Sequence, residues 1–341
     1  MGFCEDPERR RRITGMAAHE FVCRIARDAE GTVGLELVSQ WLCSMLTLDD
    51  EWDAGRLSRD PARMLTTVTR LLMVINSPEA LRDDPDLYLA SVRDVFQRAR
   101  LWAPAEAVKR WADSQLESFM GAACVVAHRA DARTMSLDDY LTVGPLDRGT
   151  RSCINIIEVA ERTAVPQSEL DTPRVRALTQ AAKFLVLCAA DVYSYRRESS
   201  QGALESNIVD VLQRHHGTSQ RQALLDAAAL HDRTMCLFLK LSERTEKHAS
   251  HELRRHIRQL HNLVSGNLEW GSTSHRYTAD PAETLAAPIG GAEGGAPAGS
   301  TGGPGSAGHA RPPAVRAERP SDGRLSAPPM SAISWWWDQL R

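Results

Sequence analysis

The sequence predicts an all-α protein built as a single-domain helical bundle, and three features support this fold class. Apolar residues recur with the helical period in almost every patterned segment, and no segment alternates as a β-strand would. Prolines and capping residues fall where the helical patterns begin. With 341 residues, of which 43% are hydrophobic, the chain can bury a sizeable core.

The periodic segments define the expected helices in chain order. We expect them at residues 16–28, 33–53, 61–76, 86–102, 105–130, 137–143, 150–161, 173–199, 206–215, 219–245 and 248–270. Ser136 and Asp139 resemble a capping box at the start of one helix. Residues 175–195 are apolar on nearly all sides, which predicts a helix in the middle of the bundle.

The chain divides into three parts. Residues 1–15 are polar and rich in arginine, and we interpret them as a mobile N-terminus. Residues 16–280 carry the helical domain. Residues 281–341 form a tail rich in glycine, proline and alanine, for which we expect disorder, because so few large apolar side chains cannot offset the entropy of ordering. Three tryptophans at 335–337 end this tail as an apolar plug, and docking on the domain, docking on a partner and no role all remain open.

Charge and cysteine content limit the function classes. The net charge of −3 gives no electrostatic argument for binding nucleic acid or a membrane surface. No apolar run is long enough to span a membrane, and the N-terminus lacks the apolar core of a secretory signal. The seven cysteines are scattered and form no CxxC pair, which indicates free thiols in a reducing compartment. We therefore expect a cytoplasmic protein.

A cluster of acidic residues ends the second expected helix. The apolar run 33–48 is followed by Asp49, Asp50 and Asp53, and the first and last of these lie four residues apart on one helix face. Carboxylates crowded at a helix C-terminus repel one another and meet the negative end of the helix dipole. A divalent cation such as Mg²⁺, which prefers hard oxygen ligands, would compensate them. The alternative is a solvated acidic helix end.

A second polar cluster interrupts the central apolar helix. Asp191 lies three residues before Ser194, and Glu198 follows four residues later, so their oxygens belong near one face. Burying such oxygens in an apolar helix is unfavourable unless something binds them.

The two clusters together resemble the metal-binding motifs of the bacterial class I terpene synthases. That family carries an aspartate-rich motif on one helix and an Asn-Asp-x-x-Ser-x-x-(Lys/Arg)-Glu motif on a facing helix. Three Mg²⁺ ions bind between them and grip an isoprenoid diphosphate. The metal ligands that the resemblance implies are Asp49, Asp50, Asp53, Asp191, Ser194 and Glu198.

Further segments in the same order are similar to other parts of the family. Residues 207–212 look like the segment that follows the second metal motif. Residues 266–270, followed by Arg276 and Tyr277, resemble the family's closing helix and its Arg-Tyr pair, which meets the diphosphate. Asp147 matches the linker aspartate and Gly149 the effector glycine of the helix-break region.

The resemblance implies ionisation of an allylic C–O bond, which leaves a carbocation and pyrophosphate in a dry, closed site. Arg197 and Arg276 would donate to phosphate oxygens, and aromatic faces would stabilise the cation. Trp41, two helical turns before Asp49, and Trp270 on the closing helix are candidates for the pocket wall, although both could be plain core. The substrate-binding candidates are Arg197, Arg148, Trp41, Trp270 and Asn267.

Two positions depart from the family pattern. Ala190 stands where the family has the first metal ligand of the second helix, and Gly144 stands where it has the arginine that senses diphosphate. We expect Arg148 or Arg151 to supply the missing positive charge. The departures suggest an adapted phosphate site or a weakened enzyme.

The substrate and the partners remain more open. The closing segment and Tyr193-Ser194-Tyr195 look closer to diterpene members, which favours a C20 diphosphate and keeps C15 as an alternative. A bicyclic labdane-type diphosphate from a class II cyclase partner is a variant of this function. A prenyltransferase is disfavoured because the second motif is not aspartate-rich, and a degenerate non-catalytic isoprenoid-binding protein is the alternative from another class. A homodimer is also left open.

Four histidines lie on the last expected helix: His248, His251, His256 and His261. We interpret them as neutral surface residues rather than as a metal site.

Overall fold

The computed structural model describes residues 7–53, 55–278 and 326–340, and it is all-α over these residues. The helices are α1 (Pro7–Gly15), α2 (Ala18–Ile25), α3 (Val33–Asp53), α4 (Pro61–Asn76), α5 (Leu87–Trp102), α6 (Ala105–Ala130), α7 (Leu137–Asp147), α8 (Thr150–Ala160), α9 (Gln167–Leu170), α10 (Pro173–Gln201), α11 (Ile208–His216), α12 (Gln220–Glu246), α13 (His251–Thr273), α14 (His275–Thr278) and α15 (Ser331–Asp338). The predicted fold class, an all-α bundle, is confirmed. The expected disorder of residues 281–325 lies outside the described residues.

Local sequence signals set several of the helix ends. The capping box of α7 is present: the Asp139 N–H donates to Ser136 Oγ, and the Ser136 N–H donates back to the Asp139 carboxylate. Pro61 and Pro173 begin α4 and α10, where the N–H that proline lacks would have had no partner inside the helix. Asp60 caps α4 by accepting the N–H of Arg63.

Several helix boundaries differ from the sequence prediction by a few residues, and two differences bear on the packing. Residues 7–15, interpreted as a mobile terminus, form helix α1. Helix α7 continues four residues past the expected end at 143 and contains Pro145. Tight packing of α7 on α6 explains the second difference, because buried contacts outweigh the local preference of one proline.

Helix α10 occupies the centre of the bundle, as its apolar sequence predicts. It packs mainly against α12 and α13 and also contacts α7, α8 and α11. Its buried side chains face several directions and include Phe184, Leu187 and Cys188. Helices α3, α6 and α8 lie across from part of α10, and the space between them is lined mainly by residues of these helices and of α13.

The tryptophan-rich end of the chain docks on the domain. Helix α15 contacts α7 and α10, and the side chains of Trp336 and Trp337 are buried there. The Trp336 ring lies 6.2 Å from the ring of Phe184, centre to centre, and Arg174 Nε donates to the Gln339 carbonyl at 3.4 Å. Of the three roles left open by the sequence, the structure shows docking on the domain.

Among the described residues, no helix combines the length and the apolar character needed to cross a membrane.

Candidate active site

A cavity opens between α3, α6, α8, α10 and α13. Its empty volume, with the open mouth included, is about 1060 Å³, comparable with the larger small-molecule sites. Most of the residues predicted for the site line it: Trp41, Asp49, Asp147, Arg148, Gly149, Ser194, Arg197, Glu198, Asn267, Trp270, Arg276 and Tyr277. Asp50, Asp53 and Asp191 are not among the lining residues.

The end of α3 reaches the cavity at Asp49, and we call its three carboxylates the aspartate wall: Asp49, which lines the cavity, with Asp50 and Asp53 beside it. Arg276 from α14 bridges the first two, with Nη2 donating to Asp49 Oδ2 at 2.6 Å and Nη1 to Asp50 Oδ1 at 3.1 Å. Arg197 from α10 lies 3.4 Å from Asp53 Oδ2 and 3.6 Å from Asp50 Oδ1. Two arginines therefore span the cavity mouth to reach the acidic helix end.

Other side chains fix the end of α3 from behind. Trp52 Nε1 donates to Asp49 Oδ1 at 3.0 Å, which orients that carboxylate. The guanidinium of Arg129 caps the helix by donating to the Trp52 and Asp53 carbonyls and pairs with Glu205. Because the last carbonyls of a helix lack partners inside it, a buried arginine there stabilises the terminus.

In the aspartate wall, the charged form of one carboxylate, that of Asp53, is destabilised. Burial, followed by the negative charge of Asp49, raises the pKa of Asp53 far above its ordinary value, and the nearby Arg197 only partly opposes the shift. Although burial alone would lower it, the pKa of Arg276 is raised by Asp50 and Asp49. The wall therefore favours an additional cation.

Helix α10 forms the facing wall, where Ala190, Ser194 and Glu198 line the cavity at four-residue spacing. Glu198 Oε1 accepts Arg148 Nη2 at 2.9 Å, and Oε2 accepts Asn207 Nδ2 at 2.9 Å. Burial alone would raise the pKa of Glu198, but Arg148 and Arg197 outweigh it and hold the pKa below its usual range.

Asp191 was predicted as a metal ligand, and the structure places its side chain away from the cavity lining. Its side chain is fully buried, with Oδ2 accepting Tyr140 Oη at 2.7 Å and the Ile208 N–H at 2.8 Å. Oδ1 accepts Arg148 Nε at 3.0 Å. Asp191 follows Ala190 by one residue, about 100° around the helix, so its carboxylate joins α10 to α7 and α11 instead of facing the cavity.

The break between α7 and α8 carries three of the predicted residues. Gly149 adopts a φ of +57° between the two helices, a conformation in which a Cβ is unfavourable. Burial raises the pKa of Asp147 to about 7, against the opposing effect of Arg148. Arg151 pairs with Glu117, so of the two arginines considered for the missing charge only Arg148 lines the cavity.

Aromatic side chains line the interior of the cavity. Trp41 lies eight residues, about 12 Å of helix, before Asp49 and packs edge-on against the ring of Trp111 at 5.1 Å. Trp270 packs against the rings of Phe21 at 5.1 Å and Tyr277 at 5.5 Å. Both tryptophans line the cavity and belong to the core, so the two interpretations of them are compatible.

Sequence reasoning missed several residues of the site. Among them, Trp52 and Phe119 line the cavity with rings 6.5 Å apart, and Met45 and Ile156 add apolar surface. Met45 lies one helical turn before Asp49, a spacing that could have identified it. Arg129 carried no signal, because its contact with α3 depends on how two distant helices pack.

The donor set of the aspartate wall fits a divalent cation, since its carboxylate oxygens are hard ligands with insufficient positive charge around them. In the conformation described, residues 7–53, 55–278 and 326–340 contain no three acidic, histidine or cysteine side chains that converge closely enough to hold a metal ion. The arginines explain this, because Arg276 and Arg197 hold the carboxylates instead.

Comparison with known proteins identifies the family. The family model "Terpene synthase family 2, C-terminal metal binding" matches residues 40–236, more than half of the chain. Spiroviolene synthase of Streptomyces violens is 26% identical over 98% of this chain and 88% of its own length. A (+)-T-muurolol synthase of Streptomyces clavuligerus, described as farnesyl diphosphate cyclizing, is 29% identical over 81% of this chain and 66% of its own length.

The solved structures agree. A crystal structure of a variant of the SVS_A2 protein, obtained by ancestral sequence reconstruction, superposes with a TM-score of 0.80 at 27% identity, covering 99% of this chain and 89% of the other. The acidic end of α3, the Ser194–Glu198 face of α10 and the aromatic cavity between them thus occur on a fold shared with these proteins. The chain belongs to the bacterial class I terpene synthase family, whose members are carbon–oxygen lyases acting on diphosphates.

Proposed function

We propose that the protein ionises an isoprenoid diphosphate in a Mg²⁺-dependent reaction and converts the resulting carbocation to a terpene. The allylic C–O bond breaks, and its electron pair leaves with pyrophosphate. Cyclisation, followed by proton loss or by capture of water, then completes the reaction. A C20 diphosphate is the favoured substrate and a C15 diphosphate the alternative.

One observation carries this proposal: a charged rim and an aromatic interior belong to the same cavity. Asp49, Arg197 and Arg276 lie at the rim, while Trp41 and Trp270 line the interior. The charged rim suits a diphosphate, and the aromatic interior suits an isoprenoid chain. The site must be closed over both parts of the substrate to keep water from the cation. Few other ligands combine about three negative charges with a long, methyl-branched apolar chain.

The rim arginines would bind the diphosphate directly. Arg197 Nε is buried and makes no hydrogen bond among the described residues, so this N–H is available to a phosphate oxygen. Arg276 would exchange part of its pairing with Asp49 and Asp50 for the diphosphate, since guanidinium forks suit phosphate geometry. Preorganised donors of this kind stabilise charge that develops on the leaving group.

Asp49, Asp50 and Asp53 would hold Mg²⁺, which supplies electrostatic stabilisation of the departing pyrophosphate. Asp147 and Gly149, at the α7–α8 break, would position the backbone near the reacting carbon, and Tyr277 would close the cavity beside Trp270. Asn267 donates to the Val186 carbonyl at 3.3 Å and would shape the wall against the substrate chain.

The interior would guide the cation. The rings of Trp41, Trp270 and Phe119 present π faces or edges to the cavity, and each suitably placed face is worth about 0.5–2 kcal/mol to a cation. Apolar side chains such as Ile156 exclude water without offering a base.

The test is pyrophosphate release with geranylgeranyl diphosphate and with farnesyl diphosphate, each with and without Mg²⁺, followed by gas chromatography of the products. We expect release only with Mg²⁺ and faster turnover of the C20 substrate. Faster turnover of farnesyl diphosphate would instead assign the C15 alternative. No release with either, nor with a labdane-type diphosphate, would contradict the proposal.

A further inference from the structure

The two walls of the cavity differ in the arginines that hold their carboxylates. On the aspartate wall, three carboxylates of one helix end share Arg276 and part of Arg197. On the facing wall, the guanidinium of Arg148 donates to both carboxylates of α10, and Arg197 lies 3.8 Å from Glu198 Oε1. Arg148 is therefore the guanidinium that joins the two carboxylates of this wall.

The oxygens of the facing wall are also largely occupied. Ala190, at the cavity surface, has no oxygen in its side chain. Both carboxylate oxygens of Glu198 accept hydrogen bonds. The buried carboxylate of Asp191 accepts three hydrogen bonds. The Ser194 hydroxyl donates to the Asp191 carbonyl over a long 3.4 Å and also lies within hydrogen-bonding reach of Glu198.

Arg148 is held where it is by its surroundings. Its side chain is only 17% exposed, and a third carboxylate, that of Asp147, lies 3.8 Å from Nη1. The preceding turn offers no competing cation, because Gly144 has no side chain and a Cβ there would lie 3.2 Å from Leu187 and from the ring of Tyr140. A divalent ion beside Glu198 would have to displace a buried, doubly paired guanidinium.

We infer that the guanidinium of Arg148 takes the place of a divalent ion on the wall formed by Ser194 and Glu198, so that this chain binds fewer metal ions than the three implied by its family resemblance. The inference rests on the proposed function, because it concerns the same diphosphate site. The inference accounts for two features together. Ala190 offers no oxygen ligand because no ion needs one there, and Arg148, one turn after Gly144, supplies the positive charge instead.

The experiment counts bound Mn²⁺ by electron paramagnetic resonance in the presence of inorganic pyrophosphate, with the full chain. Asp49→Asn and Glu198→Gln form a matched pair, since each removes one carboxylate charge from one wall with little change of shape. We expect Asp49→Asn to lower the number of bound ions and Glu198→Gln to leave it unchanged. Loss of one ion per chain in Glu198→Gln would overturn the inference.

A double variant, Ala190→Asn with Arg148→Gln, tests the exchange in the other direction. It restores an oxygen ligand and removes the guanidinium, so it should gain one Mn²⁺ per chain; no gain in a variant that retains the wild-type circular dichroism spectrum would count against the inference. These counts need no turnover. If no diphosphate is turned over but the counts are as expected, the metal assignment stands and the proposed reaction fails.

Discussion

Arg276 connects the last described helix of the domain to the aspartate wall. It is 5% exposed and pairs with two carboxylates on α3, so it joins residues more than two hundred positions apart in the chain. Such a residue both closes the cavity and presents positive charge to a diphosphate.

Replacing Arg276 with glutamine should therefore lower the rate of pyrophosphate release by about 100-fold or more, because one preorganised donor to the leaving group is lost. Steady-state kinetics with the preferred diphosphate would measure this. Arg258→Gln is a matched control on α13, since Arg258 is half-exposed and lies 3.6 Å from the surface residue Asp28. Equal rates for the two variants would contradict the role of Arg276.

The prediction that His256 is a surface residue is wrong. The sequence analysis placed it on the surface, but it is buried beside Glu158, with Nδ1 3.8 Å from Oε1. Burial, followed by the positive charge of Arg110, lowers the pKa of His256 to about 4. The charged and polar groups that face His256 are Arg110 on α6, Glu158 on α8 and Gln259 on α13.

The packing of α6 against α7 sets the position of the helix break at the element scale. A Cβ on Gly121 would lie 2.2 Å from the backbone nitrogen of Asp147 and 2.6 Å from the Leu146 carbonyl carbon. Only glycine allows this close approach, which brings the end of α7 to the cavity.

Gly121→Ala should destabilise the protein by about 1–3 kcal/mol, the usual effect of overpacking, and should also lower activity, because Asp147 and Arg148 would move with the end of α7. Chemical denaturation and pyrophosphate release would measure the two effects. Gly15→Ala is the control, since a Cβ there meets only an ordinary contact at 3.9 Å. Wild-type stability for Gly121→Ala would show that α6 and α7 do not depend on this contact.

Helix α15 stabilises the two helices that it covers. Deleting residues 326–341 should lower the melting temperature, because Phe184 and its neighbours on α7 and α10 would be exposed to water. Combined replacement of Trp336 and Trp337 by alanine should have the same effect as the deletion, since a helix without its buried side chains simply undocks. Differential scanning calorimetry would compare them.

Ser331→Ala, at the exposed start of α15, should leave the melting temperature unchanged. If the deletion melts like the full chain, the docking of α15 contributes nothing to stability.

At the scale of the whole molecule, the folding stability should depend on His256 at acidic pH. The unfolded chain takes up this proton near pH 6.5, and the folded protein only near pH 4. The stability that the neutral imidazole contributes is therefore present above pH 6.5 and is lost as the pH falls towards 4.

His256→Gln removes this titration, so the variant should lose about 2 kcal/mol less than the wild type between pH 7 and pH 5. Urea denaturation at the two pH values would measure the difference. His251→Gln, at an exposed position on the same helix, should retain the wild-type dependence. Parallel pH profiles for wild type and His256→Gln would exclude this explanation.

The overall architecture was largely predictable, because it depends on patterns that are local in the chain. Helical periodicity located α3, α6, α10 and α13, and the apolar character of residues 175–195 placed α10 at the centre. The sites on these helices followed from their spacing, since residues four apart share a face.

Other parts of the site depend on contacts between distant segments and had no local signal. Asp191 has the spacing of a ligand, yet Tyr140 and Ile208 hold its carboxylate in the core. Arg129 reaches the end of α3 only because α6 packs beside it. Helix α7 passes through Pro145 for the same reason, since the energy of packing outweighs the local preference.

The docking of α15 has a practical consequence for following this protein in solution. Three of its eight tryptophans stand together at positions 335–337, and two of those are buried only by contact with the domain. Release of the tail would bring these indoles into water and shift the intrinsic fluorescence to longer wavelengths, while the far-ultraviolet signal of the helices would hardly change. The intrinsic tryptophan fluorescence should therefore report whether α15 is docked on the domain, without an added label.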